Sequence, residues 1–141
     1  MPSPLLLQFG GSLVAILALA GLARWLGLGG TPRLATAEDV RRIAGELVDG
    51  FACRRLSHDR EGAAALVEDA AGRVMLIKRH GNRFAGRILG PEARARLQDG
   101  PGAAALVVDC GEPRFGKVIL DLPDQVAWAQ TINAIGEQRH A

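Results

Sequence analysis

Apolar residues are distributed along this chain in three distinct ways, and each predicts a different kind of element. From Leu5 to Ala23 the sequence LLLQFGGSLVAILALAGLA carries no charge, and Gln8 and Ser12 are its only clearly polar side chains. The stretch is close to the roughly 20 residues a helix needs to cross a bilayer, and it is apolar all round rather than along one stripe. From Thr36 the pattern changes to helical spacing, with Val40, Ile43, Ala44, Leu47 and Val48 on one face. Thr36 is placed to cap this helix, Glu38 and Asp39 put acid in its first turn, and Asp49-Gly50 ends it. After residue 50 the pattern shortens to strand-length runs separated by turns.

Six strands are predicted: Phe51 to Ser57, Ala63 to Glu68, Arg73 to His80, Arg83 to Leu89, Ala103 to Cys110 and Arg114 to Asp121. Gly81-Asn82 has the length and composition of a two-residue hairpin turn. Pro91 suits the first turn of a short helix over Glu92 to Leu97, and Asp99 to Gly102 reads as a loop. A closing helix opens near Asp121, Pro123 and Asp124, with Trp128, Ile132 and Ile135 as its apolar side. Residues 136–141 are expected to fray. Short turns between consecutive strands imply antiparallel pairing. The expected fold class is α+β: a transmembrane helix, then a curved antiparallel sheet or partly open barrel packed with an N-terminal and a C-terminal helix. The segments are a tail over 1–4, an anchor over 5–25, a linker over 26–35 and a soluble domain over 36–141.

Arg24 and Trp25 follow the apolar stretch directly and suit the membrane–water interface. A cleaved signal peptide is the rival, with Ala18-Leu19-Ala20 as its small-residue site. The lack of Lys or Arg in Met1 to Pro4 and the length of the apolar run favour an anchor. Arg24, Arg33, Arg41 and Arg42 all lie on its C-terminal side. The positive-inside rule therefore puts the soluble domain in the cytoplasm, on a bacterial inner membrane. Gly11 and Ala15 form a small-xxx-small pair that would let two anchors pack closely as a homodimer.

Net charge is +2 over 141 residues, and Arg24 is the only charged side chain before residue 31. So balanced a domain argues against a nucleic-acid partner. Lys78 and Lys117 are the only lysines. The dominance of Arg could serve phosphate contacts, but it is better accounted for by the codon usage of a GC-rich genome.

Basic residues nevertheless gather on one hairpin. With Gly81-Asn82 as the turn, His80 opposes Arg83, Lys78 opposes Ala85, Leu76 opposes Arg87 and Val74 opposes Leu89. Directly opposed side chains share a face, so Lys78, His80, Arg83 and Arg87 are collected on one side. Met75, Ile77 and Ile88 form the other side and read as core, with Arg79 and Phe84 near the tip. Four basic groups in a run without acid would bind an anionic group such as a lipid headgroup. Alternatively, they form a solvated strand face that discourages unwanted pairing.

Other chemistry is thin. No cofactor motif and no metal-ligand spacing stands out. His58-Asp59 lacks a third partner, Ser57 has no nucleophile-elbow setting, and Gly27-Leu28-Gly29-Gly30 lacks the Lys and Ser/Thr of a phosphate loop. Cys53, between Ala52 and Arg54-Arg55, and Cys110 are either two free thiols or one disulfide, according to compartment.

The second half resembles a pleckstrin-homology domain, from about residue 51 to 138. That family has a strongly bent antiparallel sheet capped by a C-terminal helix with an inward Trp, and Trp128 in DQVAWAQTINAI occupies the matching place. The resemblance implies seven strands and a phosphoinositide-type site built from basic residues of a strand hairpin. The whole chain is similar to small single-pass membrane-anchored bacterial proteins. These readings converge on a membrane-tethered, non-enzymatic binding or scaffold module that contacts anionic lipid or a membrane protein partner. The alternatives are an accessory subunit of a membrane complex and a thiol-redox protein.

Overall fold

The computed structural model describes residues 3–27, 32–100 and 104–140. The chain divides into two units, residues 1–31 and 32–141. The first holds one helix, α1, over Pro4–Trp25. Ser3 caps it by accepting the Leu6 N–H, and Pro4 sits in its first turn, where a missing N–H costs nothing. None of its residues is buried. It has the length and composition of both a membrane span and an N-terminal signal sequence. The predicted linker lies partly outside the described residues.

The second unit contains α2 (Ala37–Leu47), strands β1 (Cys53–His58), β2 (Ala64–Asp69), β3 (Val74–His80), β4 (Arg83–Ile88), β5 (Arg94–Gln98), β6 (Ala105–Asp109) and β7 (Lys117–Leu120), and α3 (Gln125–His140). All pairing is antiparallel. The strands form two sheets, ordered β1-β2-β3-β4 and β5-β6-β7, with no closed barrel.

The first sheet is covered on both faces, which explains its unbroken apolar runs. Residues 64–67 and 74–77 are all buried, as expected where neither face of a strand meets water. Alternate side chains go opposite ways. Ala65, Val67, Met75 and Ile77 pack with Leu34, Val40, Ala44 and Phe51 on the α2 side. Ala64, Leu66, Val74 and Leu76 join Leu106, Val108, Leu120, Trp128 and Ile132 in the larger core beneath the second sheet and α3. The amphipathic stripe of α2 thus docks on the domain's own sheet. Its start is capped as expected, the Thr36 hydroxyl accepting the Asp39 N–H at 3.1 Å.

Several expectations need correction. Among the described residues the strands number seven, in two separate sheets instead of one curved sheet. The additional strand is β5, where a short helix was expected. Glu, Ala and Arg favour a helix locally, but Ala93 and Ala95 alternate with Arg94 and Arg96. Pairing with β6 rewards that two-residue period, and tertiary packing overrides propensity. The last strand is shorter than expected because Glu112 to Phe115 form a turn, closed by Phe115 and Gly116 N–H bonds to the Glu112 carbonyl. The C-terminal helix does not fray at Gly136 but runs on to His140. Ile88 is 40% exposed and is no core residue, because it ends an edge strand with no outer neighbour to cover it.

Several contacts fasten α3 and the turn before it to the sheets. Asn133 donates to the Ala95 carbonyl and accepts the Ala95 N–H, both at 2.9 Å, so its amide stands in for a further strand along β5. Ser57 on β1 donates to the Asp124 carboxylate at 2.7 and 2.9 Å, and Arg55 stacks 3.9 Å above the buried Trp128 ring.

Candidate functional site

The β3–β4 hairpin forms in the expected register: His80 pairs with Arg83, Lys78 with Ala85 and Leu76 with Arg87. Gly81 supplies the positive φ, 66°, that a tight hairpin turn requires. The four candidate basic residues then divide into two pairs. Lys78 is half-buried, donates to the Phe115 carbonyl and lies 4.4 Å from the centre of the Phe115 ring. Arg87 donates to Glu112 at 2.9 Å and to the Gly86 carbonyl, and its guanidinium is 5.2 Å from the same ring. These two cations pin the β6–β7 turn to the hairpin, an attachment that the sequence pattern did not reveal. His80 and Arg83 are exposed at the tip.

Beside that tip lies a cleft of about 600 Å³, bounded by Asn82, Arg83 and Phe84, by Arg42 and Glu46 of α2, and by Arg33. Its floor is secured by Arg79, which donates to the Pro32 carbonyl at 3.1 Å, and by the Arg33 guanidinium on the Glu61 carbonyl at 3.0 Å. Three Arg and one Glu leave the cleft net positive. Arg42 has carboxylate neighbours, Asp39 at 3.5 Å and Glu46 at 3.6 Å. Such exposed pairs are worth ~1 kcal/mol or less and exchange readily for another anion. Arg33 and Arg42 were not legible as partners of Arg83, since some 40 to 50 positions separate them and only α2 docking brings them together. The nearest signal was the helical stripe that predicted the docking.

Several other polar groups hold the fold. Asp69 accepts N–H bonds from Ala71 and Arg73 and the Arg73 guanidinium at 2.6 Å, which braces the β2–β3 turn. Burial raises its carboxyl, but those hydrogen bonds and the Arg73 charge outweigh this and leave it below its ordinary 3.8. Asp59 accepts the Asp121 N–H at 2.7 Å. The His58 ring turns to the Asp59 carbonyl, and the Ser57 hydroxyl donates to the Asp124 carboxylate. Both cysteines are free, Cys110 in the larger core and Cys53 packed against the α2-side core. Burial raises the Cys53 thiol, only partly offset by Arg41. Among the described residues no group of three or more His, Cys, Asp or Glu is placed to hold a metal ion.

Comparison of the chain with family models, with curated proteins and with solved structures finds no match. Its own geometry carries the functional reading.

Proposed function

We propose that this chain is a single-pass, membrane-anchored binding module without catalytic activity, which holds its α+β domain at the cytoplasmic face of a bacterial inner membrane and engages a partner around the β3–β4 hairpin tip. The observation that carries the reading is the full exposure of α1. Eleven large apolar side chains from Leu5 to Trp25 face outward. At ~1.5 kcal/mol for each, covering them is worth upwards of about 15 kcal/mol, as much as the whole stability of a typical domain. A surface of this kind favours lipid over water as the medium of the helix. Its 22 residues extend about 33 Å, which matches the ~30 Å hydrocarbon core.

The helix also continues without a break through Ala18-Leu19-Ala20 to Arg24 and Trp25, which favours retention over cleavage. Exposed Arg33, Arg41 and Arg42 follow it, consistent with a cytoplasmic domain. Seven strands divided four and three, followed by a helix that buries Trp128, support the pleckstrin-homology resemblance as a description of the domain. At the hairpin tip Arg83 has no hydrogen bond or ion pair among the described residues, unlike Lys78 and Arg87, and Arg33 and Arg42 line the same cleft.

Alkaline carbonate extraction of cells expressing the chain, followed by intact-mass measurement, tests the anchor. The expected result is a membrane-pellet species that still contains Leu5 to Ala23. A carbonate-soluble species lacking that stretch would overturn anchor and sidedness together. Exposed Gly11 and Ala15 keep the accessory-subunit reading in play. Replacing Leu5 to Ala23 with an unrelated span separates the two, because a binding module keeps its function after the exchange and an anchor-driven subunit loses it.

A further inference from the structure

The two sheets have four outer edges, and they are treated very differently. The β5 edge is bonded at Ala95 by the Asn133 amide of α3, which packs against that strand. The β1 edge carries a bulge between Cys53 and Arg55 and is fastened to α3 through Arg55–Thr131 and to the turn before α3 through Ser57–Asp124. The β7 strand is four residues long, and the chain just beyond it is tied to the β1–β2 turn by Asp121 bonds to Arg60 and Asp59. The β4 strand, six residues long, pairs with β3 alone.

The register says which β4 groups look outward. His80 and Arg83 close the two-residue turn, so they form a hydrogen-bonded pair, and such pairs alternate along the ladder. The Leu89 N–H on the Val74 carbonyl at 2.7 Å fixes the same phase. Phe84, Gly86 and Ile88 therefore direct their backbone groups away from β3. Of these, the Gly86 carbonyl accepts the Arg87 guanidinium. Among the described residues, the N–H groups of all three and the carbonyls of Phe84 and Ile88 have no backbone partner. No Pro interrupts this edge, and its charges, Arg83 and Arg87, are both basic, while Leu47 of α2 lies against the face of Gly86. It also begins at the cleft framed by Arg33, Arg42 and Arg83.

We infer that β4 is a docking edge for an extended acidic peptide of a partner protein, which adds a strand along Phe84–Ile88 and places a carboxylate in the Arg33–Arg42–Arg83 cleft. Backbone pairing supplies affinity and the basic cleft supplies charge selection. The inference rests on the domain being a binding module and names the class of its partner.

The test uses the full chain in nanodiscs. A random ten-residue peptide library is selected on the wild type and counter-selected on Ile88→Pro, which deletes one outward N–H and leaves the bonds to β3 intact. Enriched peptides are expected to be rich in Asp or Glu beside β-branched residues. Fluorescence anisotropy with an enriched peptide should show binding weakened at least about tenfold by Ile88→Pro and by Arg83→Glu, and changed less than ~2-fold by Ile88→Thr. Hydrogen exchange should show the Phe84 and Ile88 amides becoming protected when peptide is added, a readout that needs no variant. Absence of enrichment over Ile88→Pro overturns the inference, and so does equal loss in Ile88→Thr. Arg83-dependent retention on phosphatidylglycerol vesicles without any peptide binding would reassign the cleft to a lipid headgroup. None of these failures alters the carbonate result, so the anchor stands or falls separately.

Discussion

Asn133 gives the most direct check on how the domain is sealed. Its amide makes two 2.9 Å bonds to the backbone of Ala95, a residue only 8% exposed. In Asn133→Ala both partners lose their bond. Each net hydrogen bond is worth about 0.5–1.5 kcal/mol, and a buried N–H left without an acceptor costs about 1–3 kcal/mol. The expected destabilisation is about 2–3 kcal/mol, because water at the partly open strand end recovers some of the loss. For a domain of this size that is a fall in Tm of roughly 8–15 °C. Asn133→Asp separates the two bonds. It keeps an acceptor for the Ala95 N–H but turns a carboxylate towards the Ala95 carbonyl, and it should be at least as destabilising as Ala. The full chain in a mild detergent, unfolded with urea, is the appropriate system. Trp25→Phe removes the tryptophan of α1, leaving buried Trp128, the only other one, as the fluorescent reporter. A loss under about 0.5 kcal/mol for Asn133→Ala would refute the claim that this amide acts as a strand, since surface changes commonly fall in that range.

Two further predictions concern ionisation. The Asp69 carboxyl titrates below its ordinary 3.8, so its contribution is present above that value and is lost as pH falls below it. Asp69→Asn should flatten the acid limb of stability against pH, and an unchanged slope in acid urea titrations would contradict the turn-bracing role. The Cys53 thiol is raised above its ordinary 9.0, mainly by burial, and Cys110 is buried. Neither should react appreciably with a disulfide reagent at neutral pH until urea unfolds the domain. Fast labelling of Cys53 in the folded chain would reopen the redox reading.

The parts of the fold written in local chemistry were legible in the sequence. The Thr36 cap, the α2 stripe, the apolar β3 run and the Gly81-Asn82 turn each depend on residues a few positions apart, and all are present. The β3–β4 register followed from the turn alone. The misread element was β5, where Glu92 to Leu97 has helical composition and a strand period of two. Composition won the sequence reading, and the long-range partner β6 decided the structure. Nothing in the local run named that partner.

The candidate site shows the same division. Which residues share the hairpin face was fixed by alternation, but which of their charges are free was not. Lys78 and Arg87 are held by Phe115 and Glu112, from a turn that begins over twenty residues later. Arg33 and Arg42 arrive from an element that precedes the sheet altogether. A periodic pattern places side chains on a face, while the net charge of that face depends on what folds back over it. For this domain the consequence is a shift of the available basic surface from the middle of the hairpin to its tip. There it adjoins the β4 edge, whose outward Phe84 and Ile88 backbone groups have no partner among the described residues. A basic cleft alone would suit any anion, whereas a basic cleft continuous with an unpaired strand suits an anion carried on an extended chain.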